Sequence, residues 1–180
     1  MTTSTSSLTS TLLDSLHEQF PKRNLHSFPS LKKVVLNYRV SEGRDSQETL
    51  AVAESELVSI AGQKPRLCKS KKSISTFKLR EGEPLAYKVT LRGLRMHQFI
   101  EKLFNIVLPR LRDFKGMPLK AFDESGNYNL TIKDQTYFPE INLDKVNKIR
   151  PIQITLCISS SSKEDSKMLL SALGFPFEKQ

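Results

Sequence analysis

Four short runs of this chain alternate between apolar and polar residues, and that alternation limits the fold more than any other feature. Lys33 to Val40 sets Val34, Leu36, Tyr38 and Val40 against Lys33, Val35, Asn37 and Arg39. Tyr87 to Arg92 sets Tyr87, Val89 and Leu91 against Lys88, Thr90 and Arg92. Asn127 to Lys133 opposes Tyr128, Leu130 and Ile132 to Asn127, Asn129, Thr131 and Lys133, and Ile152 to Ser159 does the same with Ile152, Ile154, Leu156 and Ile158. Successive strand residues point to opposite faces, so each run has one oily side and one wetted side. A doubly wound parallel sheet needs both faces apolar, and these runs do not supply that. The expected fold is α+β: an open antiparallel or mixed sheet of four or five strands with helices packed on one face.

Helical spacing fills the intervals. Leu50, Ala53, Leu57, Val58 and Ile60 predict a helix over Ser46 to Ile60 with Gly62 as its stop. Met96, Phe99, Ile100, Leu103, Val107 and Leu111 form a second stripe, which Pro109 should bend or end because proline lacks a backbone donor. Ser161 and Glu164 suggest a capping box for a last helix ending at Gly174, and Leu12 to Phe20 reads as a short helix ended by Pro21. Between Arg66 and Glu83 no period emerges; the stretch is rich in Lys and Ser and reads as an extended basic loop, 66–83. A single domain over 12–180 follows, preceded by an arm, 1–11, in which nine of eleven residues are Ser or Thr. That arm is acid-poor like a transit peptide, but no base precedes Lys22, so it reads as a flexible extension.

Charge narrows the function. The chain carries a net +9. Between Gln63 and Lys120 stand 15 Lys/Arg and four acids, net +11, while the other 13 bases and 15 acids leave −2. Solubility alone needs only interspersed charge, so the concentration points to a polyanion, with phosphate neutralisation as the driving term. Apolar runs are far shorter than the ~20 residues of a membrane span, and no membrane partner is expected. Cys68 and Cys157 are too few for a disulfide framework or a zinc knuckle.

The aromatic residues refine the polyanion. Single-strand RNA platforms stack bases on rings of the open face. Here Tyr38, Tyr87 and Tyr128 all fall on the apolar side, leaving Lys, Arg, Asn and Thr outside. Structured RNA bound through phosphates and 2′-hydroxyls is the expectation. Catalysis finds little support: His17, His26 and His97 are scattered, Cys68 sits in a basic loop without a His partner in sequence, and Asp123-Glu124 belongs to a Gly-containing turn. No catalytic residue, metal site or cofactor is expected. Two rivals remain, a module that docks the basic loop on an acidic protein or lipid surface, and an RNA-modifying enzyme.

Several segments together resemble a known family. Gly62 to Pro65, Lys71 to Ser73 followed by Phe77-Lys78, Lys88 to Gly93, Pro109 to Phe114, Gly126 to Tyr128, Phe138 to Ile141 and Gly174 to Phe177 are similar, in order and spacing, to the universal L-five family of large-subunit ribosomal proteins. The bacterial-type branch is the nearer. The resemblance implies a protein that binds 5S rRNA in the central protuberance, next to large-subunit rRNA and other proteins of that region. It implies RNA contacts from Asn37, Gln63, Lys64, Thr90, Arg92, Gly93 and Arg95, to which the polar face adds Arg39 and Lys88. It also implies that Lys69, Lys71, Lys72, Ser73, Ile74, Ser75, Thr76, Phe77, Lys78 and Arg80 form a loop reaching peptidyl-site tRNA, and that the protein bridges to small-subunit protein S-thirteen. The chain departs from the pattern at Arg39 and Ser41, where glycines are expected, and its arm is not basic. Those departures suggest an organelle ribosome, mitochondrial ahead of plastid, with bacterial cytoplasm as the alternative.

Overall fold

The structure, a computed structural model, describes residues 28–40, 47–112, 114–143, 146, 148–160 and 162–178. The arm at 1–11, the helix expected over Leu12 to Phe20, and Ser41 lie outside them. Among the described residues are strands β1 (Ser30–Arg39), β2 (Arg66–Lys69), β3 (Pro84–Leu91), β4 (Tyr128–Ile132) and β5 (Ile152–Ser159), with helices α1 (Gln47–Ala61), α2 (Gly93–Lys102) and α3 (Lys163–Ala172). The strands make one open sheet in the order β2-β3-β1-β5-β4, and β3 runs antiparallel to both β1 and β2. This is the expected α+β architecture.

The chain divides into two compact units. The larger comprises Lys33–Arg112 and Asn129–Leu156. Its core is the oily side of the strands: Val34, Leu36, Tyr38, Leu91, Ile152, Ile154 and Leu156 are fully buried or nearly so, as are Ala53 and Leu57 of α1 and Met96, Phe99 and Ile100 of α2. Each fully buried Leu or Ile contributes about 1.5–3 kcal/mol of transfer free energy. Helix α1 ends because Gly62 takes φ +63°, a left-handed conformation that costs glycine nothing, and its N–H closes on the Val58 carbonyl at 2.8 Å.

Helix α2 ends by the expected device. Pro109 has no N–H to give the turn before it. The helix accordingly widens to π-helical geometry over Leu103–Val107 and then tightens into a 3-10 turn, Leu108–Arg110, with Pro109 at its start.

Two expectations for this unit need correction. Arg66–Lys69, assigned to the basic loop, is an edge strand paired with β3. Four residues with charges at both ends show no period by themselves, and only β3's pairing groups make them a strand. Strand β3 also begins at Pro84 rather than Tyr87, and the first residue of a strand is one of the positions that tolerate a proline. Between β2 and β3 the chain is an ordered ribbon. Ser70 N–H donates to the Glu83 carbonyl (2.8 Å), Gly82 N–H donates to the Ser70 carbonyl (3.0 Å), and Ile74 pairs with Leu79. A 3-10 turn, Ser75–Phe77, and the left-handed Lys78 (φ +49°) form the tip.

The second unit comprises Asp113–Tyr128 and Cys157–Gln180 with Met1–Lys32. An aromatic cluster holds it: Tyr128 meets Phe122 (4.8 Å) and Phe175 (5.0 Å) edge to face, and Phe175 meets Phe177 at 4.9 Å. Gly116 lies against the C-terminal segment so closely that a Cβ would stand 2.5 Å from the Glu178 Cα. Helix α3 is capped one residue later than expected: Ser162, not Ser161, accepts the Asp165 N–H at 3.2 Å. The helix buries Asp165, Ser166, Leu169 and Leu170, and that phase selects the Ser162–Asp165 pair from a run of serines. Ser161 is outside the described residues.

Candidate nucleic-acid interface

The wetted side of the larger unit is set by strand alternation and register. Asn37 stands opposite Lys88, which stands opposite Arg66, so β1, β3 and β2 place three polar side chains in one row. Asn37, Lys88 and Arg66 are all exposed. The Asn37 amide Nδ2 donates to Gln153 Oε1 of β5 at 3.5 Å, extending the row one strand further. Arg39, two residues along β1, shares the face and is exposed. Tyr38, between them, points inward and is 0% exposed; Tyr87 is 4% and Tyr128 0% exposed, so the face carries no stacking tyrosine.

The Arg66–Lys88 pair is the informative feature. Like charges directly across a strand pair repel. No carboxylate among the described residues pairs with either, and the repulsion is relieved when an anion sits between them. Beside the pair, Gln63, Lys64, Val89 and Thr90 complete an open cleft of 320 Å³. Gln63 is steered into place by its Nε2, which donates to the Thr90 carbonyl at 3.5 Å. The chain thus brings Gln63, Lys64, Lys88 and Thr90 together in one concavity.

Arg92, Gly93 and Arg95 are exposed but stand elsewhere, at the β3–α2 junction. Arg92 takes an extended conformation and caps α2 without a side-chain bond, and Gly93 turns the chain at φ +57°. Arg95 lines a neighbouring cleft of 360 Å³ with Ile60, Gly62 and Lys102. Gly62 lines the one cleft and its neighbour Gln63 the other.

Not every polar strand residue is available to a ligand. Asn129 Oδ1 accepts from Thr155 Oγ1 at 2.7 Å, and Lys33 is half-buried. Asn127 is engaged in the second unit: its N–H and Nδ2 donate to the two oxygens of Asp123 (2.7 and 2.8 Å), and its Oδ1 accepts the Ile158 N–H. Partial burial pushes the Asp123 carboxyl up, but the bonds from Asn127 and the Ser125 N–H, with the Lys163 charge, outweigh it and hold the carboxyl below its ordinary value. Asp123 is a turn residue, as the spacing suggests.

Sequence reasoning missed Arg66 and Gln153. Arg66 was hidden by the absence of a period in its segment; its spacing two residues after Lys64 was the available signal. Gln153 lay on the polar side of its alternating run, but only the β1–β5 adjacency puts it beside Asn37.

The ribbon beyond β2 presents a different surface. Lys71, Lys72, Ser73, Ile74, Ser75, Thr76, Phe77, Lys78 and Arg80 are all exposed, as is Lys69 at its base. Ile74 is 42% and Phe77 68% exposed, so two apolar side chains sit among the five cations Lys69, Lys71, Lys72, Lys78 and Arg80. Ser73 Oγ accepts the Glu81 N–H at 2.9 Å, and Ser70 Oγ donates to the Lys72 carbonyl at 2.7 Å, holding the two arms of the ribbon.

Comparison with known proteins places most of the chain. The family model for ribosomal protein L5 matches residues 24–80, and the model for the C-terminus of the same ribosomal family matches residues 84–177. The large ribosomal subunit protein uL5 of Thermoanaerobacter sp. (strain X514) is 46% identical over 168 residues, covering 93% of this chain and 94% of that one. Its counterpart in Streptococcus thermophilus (strain CNRZ 1066) is 45% identical over 171 residues, 95% of each chain. That of Oceanobacillus iheyensis is 45% identical over 168 residues, covering 93% and 94%.

Proposed function

The chain belongs to the ribosomal L5 family, structural proteins of the large ribosomal subunit and not enzymes, and from that premise we propose that its open sheet face binds 5S rRNA in the central protuberance. The observation that carries the reading is the Arg66–Lys88 pair, without a carboxylate partner among the described residues, beside Asn37, Lys64 and Thr90. A phosphate between two cations gains charge-assisted bonds from both, while the amide and hydroxyl groups suit neighbouring phosphate oxygens and 2′-hydroxyls. Arg92, Gly93 and Arg95 meet the same RNA further along, at the start of α2. With no tyrosine on the face among the described residues, recognition is by shape and backbone.

The ribbon tip serves a second contact. Its cations with Ile74 and Phe77 suit the curved surface of a folded RNA, charges on phosphates and apolar groups on sugar or base edges. Peptidyl-site tRNA is the proposed partner, and an inter-subunit bridge to protein S-thirteen and contacts with large-subunit rRNA complete the reading. The organelle preference draws on Arg39, Ser41 and the arm alone; the relatives described above are bacterial and lend it nothing.

Titration of a 5S rRNA transcript by gel shift tests the main claim. Affinity should fall with salt, and Lys88→Ala should lower the log–log slope by about 0.7–0.9, the loss of one neutralised phosphate. An unchanged slope, or equal competition by acidic liposomes, would reject it.

A further inference from the structure

The RNA cleft borrows its shape from a residue outside it. Gln63 and Lys64 belong to no strand or helix; they follow directly on the last turn of α1, so wherever α1 ends, they go. A helix C-terminus leaves carbonyls without partners and gathers negative partial charge. At the end of α1 this need is met by Lys102, from the last turn of α2. Its ammonium Nζ donates to the Ile60 carbonyl at 2.8 Å and to Glu140 Oε1 at 2.6 Å. It also lies 5.6 Å from the centre of the Phe99 ring. Lys102 is partly buried, its side chain 19% exposed, so this is a held cation rather than a solvated one.

We infer that Lys102 is a positioning residue for RNA binding: it fixes the end of α1 and thereby aims Gln63 and Lys64 into the cleft shared with Arg66, Lys88 and Thr90. The contact is separate from the cleft itself. Lys102 lines the neighbouring concavity with Arg95 and Gly62, on the other side of the Gly62-Gln63 step. Two other bonds bear on this step: the Gly62 N–H closes on the Val58 carbonyl at the same helix end (2.8 Å), and the Gln63 amide reaches the Thr90 carbonyl at a long 3.5 Å. The Lys102–Ile60 bond is the charge-assisted one, and such bonds are about twice as strong as neutral ones. Glu140 keeps the ammonium pointed at the carbonyl and neutralises it, so Lys102 acts on RNA through geometry and not as a further phosphate contact.

The inference rests on the RNA-binding reading, and the test separates the two. A 5S rRNA transcript is titrated against the full chain and its variants, with thermal melts confirming that each is folded. Lys102→Met should weaken binding about fivefold, the scale of a cation lost from a partly buried helix C-terminus. Combined with Gln63→Ala/Lys64→Ala it should add nothing, because the groups it aims are gone; combined with Asn37→Ala it should keep its full effect. Lys102→Arg should restore most of the affinity, and Glu140→Gln should lower it less than Lys102→Met does. A full fivefold loss in the Gln63→Ala/Lys64→Ala background would overturn the inference, since Lys102 would then touch RNA directly or act on the whole fold. So would a folded Lys102→Met protein with native affinity. Failure of Asn37→Ala and Lys88→Ala to weaken binding would instead reject the RNA-binding reading itself.

Discussion

The Tyr38 hydroxyl donates to Glu56 Oε2 across the interior of the larger unit, joining the strand that carries Asn37 and Arg39 to helix α1. Glu56 is 8% exposed and accepts also from Arg150 Nη1 at 3.5 Å. Arg150 is tied in turn: its N–H donates to Gln135 Oε1, and Gln135 Nε2 donates to the Lys148 carbonyl at 2.7 Å. A buried carboxylate is costly unless both paired and hydrogen-bonded, and this network supplies each requirement.

Replacing Tyr38 by Phe keeps the ring but leaves a Glu56 lone pair unfilled in the core. Urea unfolding should show a loss of about 1–3 kcal/mol, the cost of stranding a buried acceptor. Arg150→Met should cost more, about 3–5 kcal/mol, because it leaves a buried charge without its counter-charge. A Tyr38→Phe protein as stable as the parent would mean that water already satisfies Glu56.

Alkaline pH probes the same site. Burial first, then the bond to and charge of Glu56, hold the Tyr38 hydroxyl well above its ordinary value, and burial pushes Tyr128 up to about 12. A raised folded-state value favours the neutral form. The stability it brings is therefore complete below about pH 10 and is lost as pH climbs from there through the folded values. Absorbance at the phenolate band should show fewer ionised tyrosines in folded than in urea-unfolded protein near pH 11, a difference that vanishes if these rings are accessible.

Asp123 gives the opposite sign. Its lowered value stabilises the turn at Asn127 above about pH 4, and that contribution is lost as pH falls through the folded value. Asp123→Asn should flatten the acid limb of the stability curve, read by thermal melts at a series of pH values. An unchanged limb would show that other carboxylates govern it.

The ribbon allows the two proposed RNA contacts to be separated. Ser70 is buried and closes the base through Glu83 and Gly82, so it must stay. Substituting a short Gly-Ser turn for Lys71 to Leu79 should leave 5S rRNA affinity within about twofold, while translation by ribosomes carrying it is impaired. Loss of 5S binding would refute the division of labour.

Much of this was legible in the chain. Ile152 to Ser159 is both the expected run and the observed strand, and the inward tyrosines follow from period alone. Arg66–Lys69 was not legible, because its conformation is imposed by β3 and not by its own residues. The cleft was half legible: Lys88 and Thr90 follow from alternation, but Arg66 enters only through the β2–β3 register, and the helix-capping role of Lys102 only through a pairing 42 residues apart. Asn127 and Asn129 show the reverse failure, since polar residues on a strand face can be spent on neighbours, and sequence cannot tell a spent amide from a free one.

Strand β2 is a sheet margin, and its four residues begin with Arg66, end with Lys69 and shift register between Cys68 and Lys69. Short length, positive charge and a bulge are the means by which sheets refuse a foreign strand. The same repulsion between Arg66 and Lys88 that would favour a phosphate at this margin makes it inhospitable to a second copy of the strand.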